Sequence, residues 1–160
     1  MTDKPVFRPI APEDDAAVAE LIRDNLEAVG LDIPGTAYFD PGLDRLSGYY
    51  AHPGRAYFVL LDGGRVIGGA GFAECGGFPD CCELQKLYLC DAAKGKGLGR
   101  ALLRHVEEAA GAAGYGRIYL ETHSVLTAAI RLYEKSGYRE IPRPAWVMHS
   151  TMDRFFLKEF

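Results

Sequence analysis

The amino-acid sequence predicts an α/β fold, of the kind also described as α+β, formed by a single domain over residues 1–160. Segments rich in β-branched and aromatic residues alternate along the chain with segments of helical apolar periodicity. The composition, 48% hydrophobic and 25% charged, is that of an ordinary globular protein. A length of 160 residues also suits one domain with a substantial core.

The first half of the chain is predicted to form a strand, a helix and a β-hairpin. The opening strand is VFRPI, and a helix from Pro12 to about Val29 follows it, because apolar residues recur there at helical spacing. Residues 31–54 form a loop rich in Pro, Gly, Asp and aromatic residues, with a short helix near its end. RAYFVLL and RVIGGAGFAE then pair as a hairpin around an Asp-Gly-Gly turn.

The second half is predicted to alternate between strands and helices. CCELQKLYL is a strand, followed by a glycine-rich loop and a helix from about Leu98 to Ala113. RIYLE is a buried strand, and a further helix follows it, which Ser124 is expected to cap and Gly137 to end. YREI and DRFFLKEF supply the last two strands.

Charge and hydropathy limit the expected partners and location. A net charge of −4 argues against a nucleic-acid partner, because such partners favour a basic surface. The segment MTDKPVFRPI lacks the apolar core of a signal peptide, and no run approaches the ~20 apolar residues that cross a bilayer. We therefore expect a cytoplasmic protein that binds neither nucleic acid nor membranes.

The four cysteines predict reduced thiols rather than a metal site. Cys75, Cys81, Cys82 and Cys90 match neither a CxxC pair nor a two-pair zinc ribbon. Cys75 and either Cys81 or Cys82 could face each other across a hairpin, which leaves a redox link open.

The glycine-rich loop KGKGLG, at positions 94–99, precedes a predicted helix and indicates an anion site. Free N–H groups at a helix start attract anions, and glycines allow close approach. A Walker A loop is excluded because no Gly-Lys pair is followed by Ser or Thr, and a GxGxxG fingerprint fails at Arg100. An ordinary solvated turn is the alternative for the loop by itself.

Three segments together resemble the GNAT acetyltransferase superfamily. KGKGLG resembles its [QR]-x-x-G-x-[GA] pyrophosphate loop, with Lys94 in the leading position. ELQKLYL resembles its central strand, and AAIRLYEKSGYREI resembles its A-x-x-LYEKxGF segment. The resemblance implies a central, mixed, mostly antiparallel twisted sheet of six or seven strands flanked by about four helices. It also implies a V-shaped opening beside the strand that precedes the glycine loop.

The resemblance further implies an N-acetyltransferase that uses acetyl-CoA and no metal. Direct transfer in a ternary complex to a small-molecule or peptide amine is expected. A ping-pong route needs a nucleophilic cysteine, for which Cys81, Cys82 or Cys90 beside the cofactor strand is left open, but no histidine partner is evident. A non-catalytic acyl-CoA-binding or sensing module is the alternative function. A homodimer is left open.

By position in these motifs, backbone groups of the central strand meet the pantetheine arm and loop amides meet the pyrophosphate. Leu126 stands where the family commonly carries Asn. The predicted cofactor-binding residues are Leu87, Tyr88, Leu89, Lys94, Gly95, Lys96, Gly97, Leu98, Gly99, Arg100, Leu126, Ala129 and Lys135.

Two residues are predicted to act in catalysis. The resemblance makes Tyr133 a general acid to the thiolate, against the alternative of a core aromatic. An amine with a pKa near ~10 needs a base at pH 7, and Glu83 is the first candidate, against the alternative of a surface carboxylate. Glu121 and His123 are alternates at the end of the next strand. The predicted acceptor-side residues are Tyr38, Phe39, Asp40, Glu121, His123, His149 and Asp153.

Overall fold

A seven-stranded mixed sheet forms the centre of the computed structural model, which describes residues 4–147 and 150–160. The order across the sheet is β1-β2-β3-β4-β5-β7-β6, and every neighbouring pair is antiparallel except β4 and β5, which are parallel. The strands are β1 Val6–Pro9, β2 Ala56–Asp62, β3 Arg65–Glu74, β4 Cys81–Leu89, β5 Arg117–Thr122, β6 Arg139–Ile141 and β7 Arg154–Glu159.

Four α-helices cover the two faces of this sheet. They are α1 Asp15–Ala28, α2 Leu46–Tyr50, α3 Leu98–Ala112 and α4 Thr127–Lys135. Apolar residues of α1 and α2 form one buried cluster with β2 and β3, and those of α3 and α4 form another with β3, β4, β5 and β7. The predicted mixed sheet with about four flanking helices is confirmed. No helix in the described ranges is long and apolar enough to cross a membrane.

The predicted cap of α4 is wrong. The helix starts after Leu126 without a side-chain cap. The N–H and Oγ of Ser124 both donate to the Asp153 carboxylate, at 2.8 Å each, so this serine joins two loops instead. Gly137 follows α4 with a φ of +92°, a left-handed conformation that favours glycine, as the sequence predicts.

The parallel strands β4 and β5 stay together for only a short distance. Their register runs from Cys81 opposite Arg117 to Glu83 opposite Tyr119, which is three pairs, and the strands then separate. β4 bulges at Lys86, whose φ of +53° is unusual for a side-chain-bearing residue. The bulge bends the rest of β4 away from β5 and opens the predicted V.

Tyr57 of β2 holds this bulge from the α1 face. Its hydroxyl donates to the Lys86 carbonyl at 2.8 Å, and its ring lies across β3 at Gly69 and Gly71. A Cβ at Gly71 would lie 2.3 Å from the Ala56 carbonyl oxygen and 2.7 Å from Tyr57 Cδ2. The glycines of β3 therefore make room for the tyrosine that shapes β4.

Gly71→Ala is expected to lower the free energy of unfolding by about 1–3 kcal/mol, because the added methyl group displaces backbone as well as the Tyr57 ring. Urea unfolding followed by circular dichroism measures the change. Gly76→Ala is the matched control, since a Cβ there meets nothing within 4 Å. Equal unfolding midpoints for the two variants would contradict this account.

Candidate active site

The separation of β4 from β5 opens a cleft of about 740 Å³ that passes through the sheet. Residues of α1 and residues of α4, which lie on opposite faces, both line it. On the α1 face the lining includes Glu83 and Glu121, and on the other face it includes Ala129 and Tyr133. Two molecules that enter from opposite faces can therefore meet inside the cleft.

One end of the cleft is the start of α3. Gly95 and Gly97 have φ of +75° and +78°, and Gly97 occupies the position before the helix, where it offers no side-chain acceptor. Among the described residues, the N–H groups of Leu98, Gly99 and Arg100 therefore have no hydrogen-bond acceptor. Unpaired N–H groups at the positive end of a helix form an anion site.

Most of the predicted cofactor residues line this cleft. Those that line it are Leu87, Tyr88, Leu89, Lys94, Gly95, Gly97, Gly99, Arg100, Leu126 and Ala129. Lys96, Leu98 and Lys135 do not line it. Lys96 and Lys135 point to solvent, and Leu98 packs against a buried cluster that includes Leu60 and Ile67. The Lys94 ammonium lies 3.0 Å from Asp91 Oδ1 at the surface.

The edge of β4 beyond Glu83 has no partner strand in the described part of β5. Leu87, Tyr88 and Leu89 lie along this edge, inside the cleft. Asn25 of α1 fixes the end of the strand, because its Nδ2 donates to the Leu89 carbonyl at 3.0 Å. The free edge offers backbone groups to a ligand with amides of its own.

Glu83 is a half-buried carboxyl group that borders the cleft rather than an exposed surface group. Burial raises its pKa to about 7, and the nearby negative charge of Glu121 adds to the rise, while a hydrogen bond from Gln85 opposes it. That bond runs from Gln85 Nε2 to Glu83 Oε1 at 2.6 Å, and Gln85 Oε1 accepts in turn from the Tyr50 hydroxyl at 2.6 Å. The chain of bonds fixes the Glu83 carboxyl inside the cleft.

Glu121 of β5 lies on the same sheet face and also lines the cleft. Its Oε2 accepts a hydrogen bond from the Tyr119 hydroxyl at 3.2 Å, and its Oε1 accepts one from Ser150 Oγ at 3.2 Å. Each oxygen keeps lone-pair capacity for a further donor.

Tyr133 is a core aromatic residue that also borders the cleft. Its ring is buried and packs near Tyr138 and Phe156, with ring centroids 5.8 and 6.2 Å away, yet the residue lines the cleft. Within the described ranges its hydroxyl makes no hydrogen bond. Burial, with a smaller effect of Tyr88, raises its pKa, so the hydroxyl stays protonated at physiological pH.

Several predicted acceptor-side residues lie elsewhere. Phe39 is 58% exposed and Tyr38 bonds through its hydroxyl to Glu27, and neither lines the cleft. His123 does not line it either, and its Nδ1 accepts from the Val125 N–H at 3.1 Å in the turn before α4. Asp40 does line it.

The two other acceptor-side candidates belong to the segment before β7. Asp153 binds the loop at Ser124 and is absent from the described cleft lining. His149 lies outside the described residues. Two positions later, Thr151 Oγ1 donates to the Pro34 carbonyl at 3.0 Å. This hydrogen bond joins the segment before β7 to the loop after α1.

Sequence reasoning missed four residues that line the cleft or support it, which are Asn25, Tyr50, Gln85 and Lys86. Gln85 follows Glu83 by two positions on one strand, so the alternation of side chains along a strand could have placed both on one face. Tyr50 and Asn25 belong to helices far from β4 in sequence, and no local pattern indicates their contacts with it.

The cysteines are free thiols, and none lines the cleft in the described residues. The Cys75 N–H donates to the Cys81 carbonyl at 3.2 Å, so Cys75 faces Cys81 rather than Cys82 across the turn. No group of three or more metal-ligating side chains is found in the described parts of the chain.

The model of the acetyltransferase (GNAT) family matches residues 17–138. This chain belongs to that family. The uncharacterized N-acetyltransferase YjgM of Escherichia coli is 42% identical to it over 139 residues, which are 86% of this chain and 83% of that protein. The N-acetylaspartate synthetase of Homo sapiens is 32% identical over 58% of this chain and 30% of its own length. Family membership makes the chain an acyltransferase.

A solved structure shares the fold. The PaiA N-acetyltransferase from Thermoplasma acidophilum, crystallised in complex with coenzyme A, superposes with a TM-score of 0.78 at 17% identity. The superposition covers 99% of this chain and all of that one, 100%. A fold of this type therefore accommodates coenzyme A.

Glu83→Gln is expected to stabilise the protein above pH 7. The pKa of Glu83 is raised from an ordinary 4.5 to about 7, so its contribution to stability falls as the pH rises between these values. The variant removes this loss, at about 1.4 kcal/mol for each pKa unit as an upper limit. Thermal unfolding at pH 4.5 and pH 8 should show no gain at the lower pH and a higher Tm at the upper.

Glu20→Gln is the control for that measurement, because Glu20 is exposed on α1. An equal change in Tm at both pH values for Glu83→Gln would show that Glu83 titrates as an ordinary carboxyl group.

Proposed function

We propose that this chain moves the acetyl group of acetyl-CoA to the nitrogen of an amine by direct attack in a ternary complex. The observation that carries the proposal is the cleft through the sheet. It joins the free N–H groups at the start of α3 to the half-buried Glu83 on the opposite face. Acetyl-CoA enters from the α3 and α4 face, and the acceptor enters from the α1 face.

The cofactor half of the cleft suits coenzyme A. The N–H groups of residues 98–100 and the positive end of α3 receive the pyrophosphate, and Lys94 and Arg100 add positive charge. The free edge of β4 at Leu87 to Leu89 pairs with the pantetheine amides. The coenzyme A complex of the Thermoplasma acidophilum protein supports this assignment.

Glu83 is the proposed general base. An amine with a pKa near ~10 is neutral in only about one molecule in a thousand at pH 7, so a nearby proton acceptor raises the fraction that can attack. Glu83, with a pKa of about 7, accepts that proton directly or through water. Gln85 and Tyr50 hold the carboxyl group in place.

Tyr133 is the proposed donor to the leaving sulfur. Its raised pKa keeps the hydroxyl protonated. A thiol has a pKa near ~8.5, so complete proton transfer from this phenol to the thiolate is unfavourable. The hydroxyl therefore acts as a hydrogen-bond donor that stabilises the charge developing on sulfur.

A sensing module is the alternative function, and the acceptor side disfavours it. A protein that only binds acyl-CoA does not need a half-buried carboxyl group with a pKa of about 7 opposite the cofactor half.

The proposed site of action is the cytoplasm. The spacing of the four cysteines, which matches no disulfide framework or zinc site, supports this proposal, because it favours reduced thiols and these are the ordinary state of cysteine in that compartment.

Thiol release from acetyl-CoA with a panel of amines tests the proposed function. Tyr133→Phe should lower kcat on the order of a hundredfold without weakening acetyl-CoA binding, because the donor acts in the transition state.

For the wild type, kcat/KM should rise with pH through about 7, and Glu83→Gln should lose that rise. Acetyl-CoA binding without thiol release on any amine would favour the sensing module.

Lys94→Ala should weaken acetyl-CoA binding roughly threefold to tenfold, since Lys94 lines the cleft beside the positive helix start and its ammonium can turn from Asp91 to a bound phosphate. Isothermal titration calorimetry measures the change in Kd. Lys96→Ala is the matched control from the same loop, because Lys96 does not line the cleft. Equal affinities of both variants and the wild type would leave the backbone amides as the whole anion site.

A further inference from the structure

The part of the cleft on the α1 face, lined by Asp40, Glu83, Gln85, Lys86 and Glu121, is here named the acceptor half. Three of these five side chains are carboxylic acids and one is a cation. Lys86 is the single cation among the described residues that line this half. The charge presented to an acceptor is therefore negative.

Lys86 already forms an ion pair within the chain. Its Nζ lies 3.3 Å from Asp40 Oδ2, and its side chain is 17% exposed. The Lys86 carbonyl is also held, by the Tyr57 hydroxyl at the bulge of β4, which limits the movement of the residue. To bind a carboxylate of an acceptor, the lysine would have to break its ion pair with Asp40. The Asp40 carboxylate would then be left without its partner.

Glu83 and Glu121 are placed to receive a cation between them. Glu83 pairs with Tyr119 across the two strands, and Glu121 lies two residues further along β5 on the same face. The two groups influence each other electrostatically. Glu121 accepts one hydroxyl hydrogen bond on each oxygen, and Glu83 accepts one on Oε1, so both keep lone pairs for N–H donors.

We propose that the acceptor is a cationic primary amine with no carboxylate on the carbon that bears the nitrogen, and that α-amino acids are poor acceptors. This inference rests on the proposed acetyl transfer. Glu121 binds the ammonium group, and Glu83 takes one of its protons. The nitrogen lone pair then forms the bond to the acetyl carbon and the carbon–sulfur bond breaks. The nitrogen loses a second proton as it becomes an amide, and the thiolate takes up that proton while the Tyr133 hydroxyl donates a hydrogen bond to the sulfur. An α-carboxylate would lie beside the Glu83 and Glu121 carboxyl groups, and the one cation among the described residues of the acceptor half, Lys86, is paired with Asp40.

Matched acceptors test the proposal by thiol release under saturating acetyl-CoA. Tryptamine, tyramine and cadaverine are compared with L-tryptophan, L-tyrosine and L-lysine, and L-aspartate is included as an acidic acceptor. We expect kcat/KM to be at least tenfold higher for each amine than for its amino acid. L-Tryptophan amide is the steric control. Its kcat/KM should approach that of tryptamine, because the amide keeps the bulk of the carboxylate and removes its negative charge. A preference for the free amino acids, or an amide no better than the acid, would overturn the proposal.

A variant then assigns the effect to the acceptor half. Glu121→Gln should raise KM for the amine about tenfold or more with a smaller change in kcat. It should also reduce the ratio of kcat/KM for the amine to kcat/KM for its amino acid. Glu20→Gln, on the exposed face of α1, should change neither. An unchanged KM and an unchanged gap in Glu121→Gln would count against the proposal.

The outcomes separate this inference from the function on which it rests. Thiol release with a preference for amino acids removes the inference and leaves acetyl transfer in place. Acetyl-CoA binding with no thiol release on any of these acceptors removes both.

Discussion

The short pairing of β4 with β5 is the constraint on which the site depends. A parallel pair that continued along both strands would close the sheet, and no ligand could reach across it. The bulge at Lys86 prevents this, because a residue with positive φ turns the strand away from its neighbour. The position of the turn is set from outside the cleft, by Tyr57 on the far strand and by the glycines of β3 that make room for its ring.

The same opening decides the electrostatics. Glu83 lies on the last residue pair before the strands part, where it is still covered by the α1 face yet borders the cleft. Burial there raises its pKa to about 7, whereas an exposed glutamate would keep its ordinary value. The helix start at Gly97, at the other side of the opening, has N–H groups that attract negative charge. One break in the sheet thus provides the helix start of an anion site and a carboxyl group with a raised pKa, on opposite sides of one cleft.

The order of strands and helices could be predicted from the sequence, since it depends on local periodicity and turn residues. The bulge could not, because lysine is not a residue type that signals positive φ. The direction of the side chains in the glycine loop could not be predicted from the sequence either. Lys94 borders the cleft and Lys96 points to solvent, although the letters around them are alike.

The acceptor side was the least predictable part of the site. Aromatic and acidic residues after α1 suggested a pocket, but the Phe39 ring turns to solvent, and Asp40 is the member of that group that borders the cleft. The Tyr50 and Gln85 contacts that orient Glu83 join segments 35 residues apart, so they depend on tertiary packing that no local pattern expresses.

The hydrogen bond from Thr151 to Pro34 has a consequence for how this protein could change over time. The bond spans 117 positions and joins two loops near the acceptor half, beside a glycine at position 35 where a Cβ would lie 2.4 Å from the threonine hydroxyl. Neither loop belongs to the strands that form the bulge or to the helix start that holds the anion site. Substitutions in these loops can therefore change the surroundings of the proposed acceptor half without altering the bulge or the helix start, so the two parts of the proposed site can evolve separately.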